Sequence, residues 1–168
     1  MVTVFTLAGI AFLIALDQII KHWAIGALAT GASVSVFGSF VQLIYVENPG
    51  AAFGIFKDKQ IFLIVFTGLV ILAGFIYLLW KKPPLLLRWA IALCIAGGIG
   101  NLIDRVMRNF VVDYIYVDLF NFPVFNFADC CVVIGACLFF LYIIFFERTA
   151  KKKQGGEGQP EEVQGKGA

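Results

Sequence analysis

The sequence predicts an all-α membrane protein: four transmembrane helices with a small β element and a re-entrant or surface segment on the outer side. Composition is the first reason. The chain is 61% hydrophobic and 14% charged, with a mean hydropathy of +0.91, whereas soluble domains run at about 45–50% apolar and 25% charged. The second reason is that four apolar runs have the length a bilayer demands. A hydrocarbon core about 30 Å thick takes about 20 helical residues.

The first run, residues 2–20, is broken only by Asp17 near its end. No basic stretch precedes it and no small-residue cleavage pattern stands before Asp17, so a permanent span is expected rather than a cleaved leader. A long connection follows, opening with Gly26, Gly31 and Ser33 and containing VSVFGSFVQLIYV. Its β-branched and aromatic residues in partial alternation read as a small strand pair. The second run, 61–80, carries no charge, and Lys81-Lys82-Pro83-Pro84 then makes a short turn. The third, 85–103, has Arg88 near its start, and 104–125 returns towards the fourth run, 126–146. Residues 1–150 therefore form one four-span membrane domain. Residues 151–168 form a tail, rich in Gly, Glu and Gln from Gln154 on and without aromatics, that is expected to be disordered.

Cations set the orientation. Lys81, Lys82 and Arg88 flank the second turn, and Arg148, Lys151, Lys152 and Lys153 follow the last span, so both places should be cytoplasmic. Both termini then lie inside. Asp17, Glu47, Asp58, Asp104, Asp113, Asp118 and Asp129 fall at or beyond the outer ends of the spans. The polar chemistry is on one face.

Some chemistries have little material. Cys94, Cys130, Cys131 and Cys137 all lie inside predicted spans with no CxxC pair, which supports neither a zinc site nor a disulfide framework. His22, the single histidine, sits beside Trp23 at an interface and reads as structural. No metal, cofactor or nucleic-acid partner is expected.

The outer-end residues fall into groups. Asp17 and Lys21, four apart, share a helix face and should pair. Asn48-Pro49-Gly50-Ala51-Ala52-Phe53-Gly54 makes a tight small-residue loop. Gly97, Gly98 and Gly100 allow close helix packing, Asn101 and Asp104 share a face, and Arg105 is expected to neutralise a neighbouring carboxylate, Asp104 first. Asp118, among loop aromatics, should be solvated. Asp113 lies in apolar VVDYIYV with no adjacent cation, a setting that raises a carboxyl pKa. Asn126 and Asp129, three apart, open the last span.

A protonated and an ionised carboxyl brought together make an aspartic-protease dyad. Asp113 and Asp129 are the favoured pair, with Asp17 and Asp104 open as alternatives. Clustered carboxylates also mark ion pathways, so a small transporter or channel component is the second reading. A structural scaffold leaves the convergent Asn and Asp residues unexplained.

The ordered set Asp17-Gln18-x-x-Lys21, Asn48-x-Gly50-Ala51-Ala52-Phe53-Gly54, Gly100-Asn101-x-x-Asp104-Arg105, Val111-Val112-Asp113-Tyr114 and Phe125-Asn126-x-Ala128-Asp129 resembles the lipoprotein signal peptidase (signal peptidase II) family. The resemblance covers nearly the whole membrane domain. It implies a bacterial inner-membrane aspartic endopeptidase that cuts diacylglyceryl-modified prolipoproteins just before the lipidated cysteine. It further implies contact with membrane lipid and inhibition by the family's cyclic peptide antibiotics. The family's catalytic aspartates map onto Asp113 and Asp129. Asp17, Asn48, Asn101, Asp104, Arg105 and Asn126 map onto positions that orient the dyad or hold substrate backbone, and Lys21, Gly54 and Ala128 belong to the same motifs. Cys130 and Cys131 lie outside the family pattern.

Overall fold

The computed structural model describes residues 1–50, 59–119 and 122–156. Its elements run α1 (Val2–Leu28), β1 (Val34–Phe37), β2 (Val41–Asn48), α2 (Gln60–Lys81), α3 (Leu85–Arg108), β3 (Val111–Val117) and α4 (Phe127–Gly156). All four helices are long and apolar enough to cross a membrane. The chain is a multi-pass membrane protein.

Helix ends follow local chemistry. α1 continues past the expected limit at residue 20, because the Lys21 ammonium is held 3.0 Å from Asp17 on the same face. α2 stops where Lys82 turns left-handed (φ 44°) and Pro83 and Pro84 follow. Pro84 then caps α3, which extends to Arg108 and ends at left-handed Asn109 (φ 65°), whose N–H donates to the Arg105 carbonyl at 3.2 Å. α4 runs to Gly156, beyond the boundary expected at residue 150. The remainder of the tail, 157–168, lies outside the described residues.

α3 is the central helix. It packs on α1, α2 and α4, and half of its apolar window is buried, whereas the other three leave most of theirs open. Ile10, Leu78, Ala92, Ile95 and Ala96 form the core between the helices. The α3–α4 contact needs glycine. A Cβ at Gly97 would run into the Ala128 carbonyl oxygen, and one at Gly135 would sit 2.7 Å from the Ala90 carbonyl oxygen. Backbone does not yield as a side chain does, so Gly97→Ala should push α4 outward and destabilise the fold by about 1–3 kcal/mol. Gly68→Ala, where nothing lies within 4 Å, is the control. Thermal unfolding in detergent decides: equal midpoints for the two variants would contradict this packing.

The expected strand pair is present as β1 and β2, and a third strand joins it. The sheet order is β1-β2-β3, antiparallel throughout. β3 comes from the segment expected to return as a re-entrant or surface stretch. Apart from Asp113, its residues are all β-branched or aromatic, as a half-buried pleated surface favours. Val112 and Tyr114 pack on Ala24 and Leu28 of α1. Register places Val46 opposite Asp113 and Asn48 opposite Val111. Phe125 bridges to Ile115, with mutual N–H to carbonyl bonds of 3.1 and 2.8 Å. The sheet thereby delivers Asn48 and Asp113 to the start of α4.

Candidate active site

The first turn of α4 explains why Asp129 stands at the head of an apolar run. A helix start leaves backbone N–H groups without partners. Here Asn126 is the cap: its Oδ1 accepts the Asp129 N–H at 3.0 Å, and the Asp129 Oδ2 accepts the Asn126 N–H at 3.1 Å. That reciprocal pair is a capping box. Phe127 N–H donates to the Tyr114 hydroxyl at 3.1 Å and Ala128 N–H to Asp17 Oδ1 at 3.1 Å. The helix start is thereby fastened to β3 and α1, and Asp129 is fixed.

Asp113 reaches the same place from the sheet. Asn48 Nδ2 donates to its Oδ2 at 2.9 Å, and Asn126 Nδ2 to its Oδ1 at 2.6 Å. Asn126 thus touches both aspartates, Asp113 through its carboxamide and Asp129 through its backbone. Both carboxyls line one cavity of about 820 Å³, with Asn48, Asn101, Arg105 and an apolar wall that includes Phe122, Val124 and Val132.

Each carboxamide is oriented by what surrounds it. Lys21 can only donate, so Asn101 turns its Oδ1 to Lys21 Nζ (2.8 Å) and its Nδ2 to Asp129 Oδ1 (2.8 Å). Asn48 Oδ1 accepts the Gly50 N–H at 3.0 Å, which leaves its amide for Asp113.

Behind the pair lies a buried charge network. Lys21, fully buried, places Nζ 3.0 Å from Asp17 and 2.9 Å from Asp104 as well as on Asn101. Asp104 also meets Arg108 at 2.8 Å and accepts the Val112 N–H at 3.2 Å. Two cations therefore balance two carboxylates. Gly100 leaves the space that Asp17 occupies, since a Cβ there would lie 2.5 Å from Asp17 Oδ2 and 3.3 Å from the Ala128 Cβ.

One expected pairing is different. Arg105 is not the partner of Asp104; its guanidinium donates to the Gly50 carbonyl at 3.1 Å and the Asn101 carbonyl at 3.4 Å, and faces the cavity. Neighbouring residues on a helix point about 100° apart. Arg108, one turn on, shares the Asp104 face instead. The network also holds Gln18, whose Nε2 donates to Asp17 Oδ2 and the Gly100 carbonyl, both at 3.1 Å. The site residues named from the sequence do not include Arg108, Gln18 and Tyr114. The i, i+4 spacing of Asp104 and Arg108 was a usable signal, and Gln18 and Tyr114 stand inside the motifs quoted above without a role assigned to them. Gly54 lies outside the described residues, Asp118 is exposed away from the cavity, and Cys130 lines the cavity edge. Among the described residues no group of three or more His, Cys, Asp or Glu is placed to hold a metal ion.

Burial lifts the Asp113 pKa to about 6, the Asn48 hydrogen bond opposing and the Asp129 charge assisting. The folded chain holds this proton more tightly than the unfolded chain does. Asp113 therefore favours folding below the ordinary carboxylate range, and that contribution is lost as pH rises through about 6. Infrared titration should show a protonated carboxyl band vanishing near pH 6 and missing from Asp113→Asn. A midpoint in the ordinary carboxylate range would contradict the burial argument.

Helices that cross the membrane and deliver their acids and amides to one cavity at one end have the build of a membrane-embedded enzyme. Comparison with known proteins narrows the class to peptidases. Residues 9–145 match the family described as Signal peptidase (SPase) II. A lipoprotein signal peptidase of Clostridium tetani is 47% identical over 135 residues, covering 78% of this chain and 86% of that protein. One from Clostridioides difficile is 39% identical, covering 84% and 96%. A solved bacterial membrane enzyme superposes with a TM-score of 0.76 at 28% identity, covering 95% of this chain and 94% of its own. The chain belongs to the signal peptidase II family.

Proposed function

We propose that this chain is an aspartic endopeptidase that removes the signal peptide from diacylglyceryl-modified prolipoproteins, cutting immediately before the lipidated cysteine. The observation that carries the reading is the joining of Asp113 and Asp129 through Asn126 on one cavity. Asp113, whose burial favours the neutral form, holds the shared proton and polarises the scissile carbonyl. Asp129, held by Asn101, takes a proton from the attacking water. The tetrahedral diol then collapses as that proton passes to the departing cysteine nitrogen.

Asp17, Lys21, Asp104 and Ala128 set the α1, α3 and α4 backbones against one another. Asn48, Asn101 and Asn126 fix the carboxyls, and Arg105, which lines the cavity, holds a substrate carbonyl in this reading. The apolar wall suits acyl chains entering from the bilayer. The chain sits in the bacterial inner membrane, and the basic turn at 81–88 argues for both termini cytoplasmic and the cavity at the periplasmic face. A periplasmic signal from a reporter fused at Pro83 would reverse that orientation. An ion pathway needs polar groups through the bundle, but the core beyond the site is Ile10, Leu78, Ala92, Ile95 and Ala96.

The test is incubation of detergent-solubilised protein with matched diacylated and unlipidated prolipoprotein peptides. Only the diacylated peptide should be cut, with a new amino terminus at the lipidated cysteine. Chelators should have no effect, and the cyclic peptide antibiotics should inhibit. Equal cleavage of the unlipidated peptide, or loss of activity on chelation, would overturn the reading.

A further inference from the structure

At the end of the bundle opposite the carboxylates, α3 turns Arg88 inward. Its side chain is buried, with the residue only 5% exposed. Nη2 makes one long contact, 3.5 Å to the Pro83 carbonyl, and Nη1 has no hydrogen-bond partner among the described residues. A buried guanidinium N–H left unpaired is costly, so this geometry calls for an acceptor from outside. Arg88 lines a cavity of about 600 Å³ together with Met1, Thr3, Lys82 and Leu85. Asp17, Glu47, Asp104, Asp113, Asp118 and Asp129 all belong to the other end, and no described acidic side chain lines this cavity. Three cationic groups (the Met1 ammonium, Lys82 and Arg88) and the Thr3 hydroxyl thus surround a space without a counter-charge among the described residues.

We propose that this cavity takes the phosphodiester of an anionic phospholipid headgroup from the leaflet on that face. The planar guanidinium matches phosphate oxygens, Arg88 carries an unpaired donor at this end of the bundle, and the Lys82 ammonium meets the remaining charge. The surroundings favour a lipid over a free anion. Trp80, 82% exposed, and Lys81 mark the interface at this level, and Val2, Phe5, Leu85 and Leu86 present open apolar surface beside the cavity for acyl chains. A headgroup with net negative charge suits these unbalanced cations better than a zwitterionic one. The site is separate from the peptidase cavity.

Native mass spectrometry of the full chain in detergent, titrated with phosphatidylglycerol or phosphatidylcholine of identical acyl chains, tests this. Phosphatidylglycerol should bind about tenfold more tightly. Arg88→Gln should abolish that preference and Lys82→Gln should reduce it, with peptide cleavage in detergent unchanged in both. Lys82 is exposed in a turn, so its variant still decides the matter if Arg88→Gln fails to fold. Equal binding of the two lipids would overturn the proposal, as would a preference that survives both substitutions. Displacement of phosphatidylglycerol by inorganic phosphate at matched concentration would identify the ligand as a free anion and overturn the lipid assignment.

Discussion

Asp113→Asn and Asp129→Asn should each lower the rate of peptide cleavage by roughly 10⁴-fold or more while leaving a folded protein. Such losses are typical when one member of a catalytic unit is removed. Asparagine keeps the volume of aspartate but cannot carry the exchanging proton. The consequences for folding are alike. At position 129 an Asn Oδ1 can accept only one of the Asn126 N–H and the Asn101 amide, and the new amide faces the other donor. At position 113 the new amide likewise meets a donor from Asn48 or from Asn126, so both variants should melt somewhat lower. Asp118→Asn should change neither quantity, since Asp118 is exposed and its side chain meets, among the described residues, the Tyr116 hydroxyl at 3.3 Å. Full activity in either catalytic variant would remove that residue from the dyad.

The second large effect is expected at Lys21. Lys21→Met keeps the length of the side chain but removes the cation that holds Asp17, Asp104 and Asn101. Removing one partner from a buried charge group costs about 3–5 kcal/mol, a large share of the roughly 5–15 kcal/mol that holds a domain together. Lys21→Met should therefore melt far below the native protein, with little activity. The added change Asp104→Asn removes one of the stranded carboxylates and should restore part of the loss, a coupling that a double-mutant cycle reads directly. Native melting of Lys21→Met would mean that the network contributes nothing to stability.

Much of this arrangement can be read from the chain without coordinates, and particular residues show where that stops. The spans are legible because apolar runs of bilayer length have few other uses. Asn126 and Asp129 are legible because i, i+3 spacing before an apolar run is what a capping box requires. Lys21 was visible only as half of its role: its i+4 partner Asp17 follows from helix geometry, but Asn101 and Asp104 lie on another helix, about eighty residues on. Arg105 was assigned to Asp104 by adjacency, and the helix turn carries it instead towards Gly50 and the cavity. β3 was hidden because a strand buried along Val111–Tyr114 lacks the polar alternation of a half-exposed one. Its pairing with β2, which brings Asn48 to Asp113, is a long-range choice of register.

The central claim is that Asp113 and Asp129 act as one unit on the scissile bond. The most direct measurement is the single-turnover cleavage rate of a diacylated prolipoprotein peptide by Asp113→Asn, Asp129→Asn and the double variant, all checked for native folding. Members of one proton-exchanging pair are strongly non-additive, so the double variant should be no slower than the slower single variant by more than about threefold. A double variant whose loss is the product of the two single losses would show the aspartates acting independently and contradict the dyad.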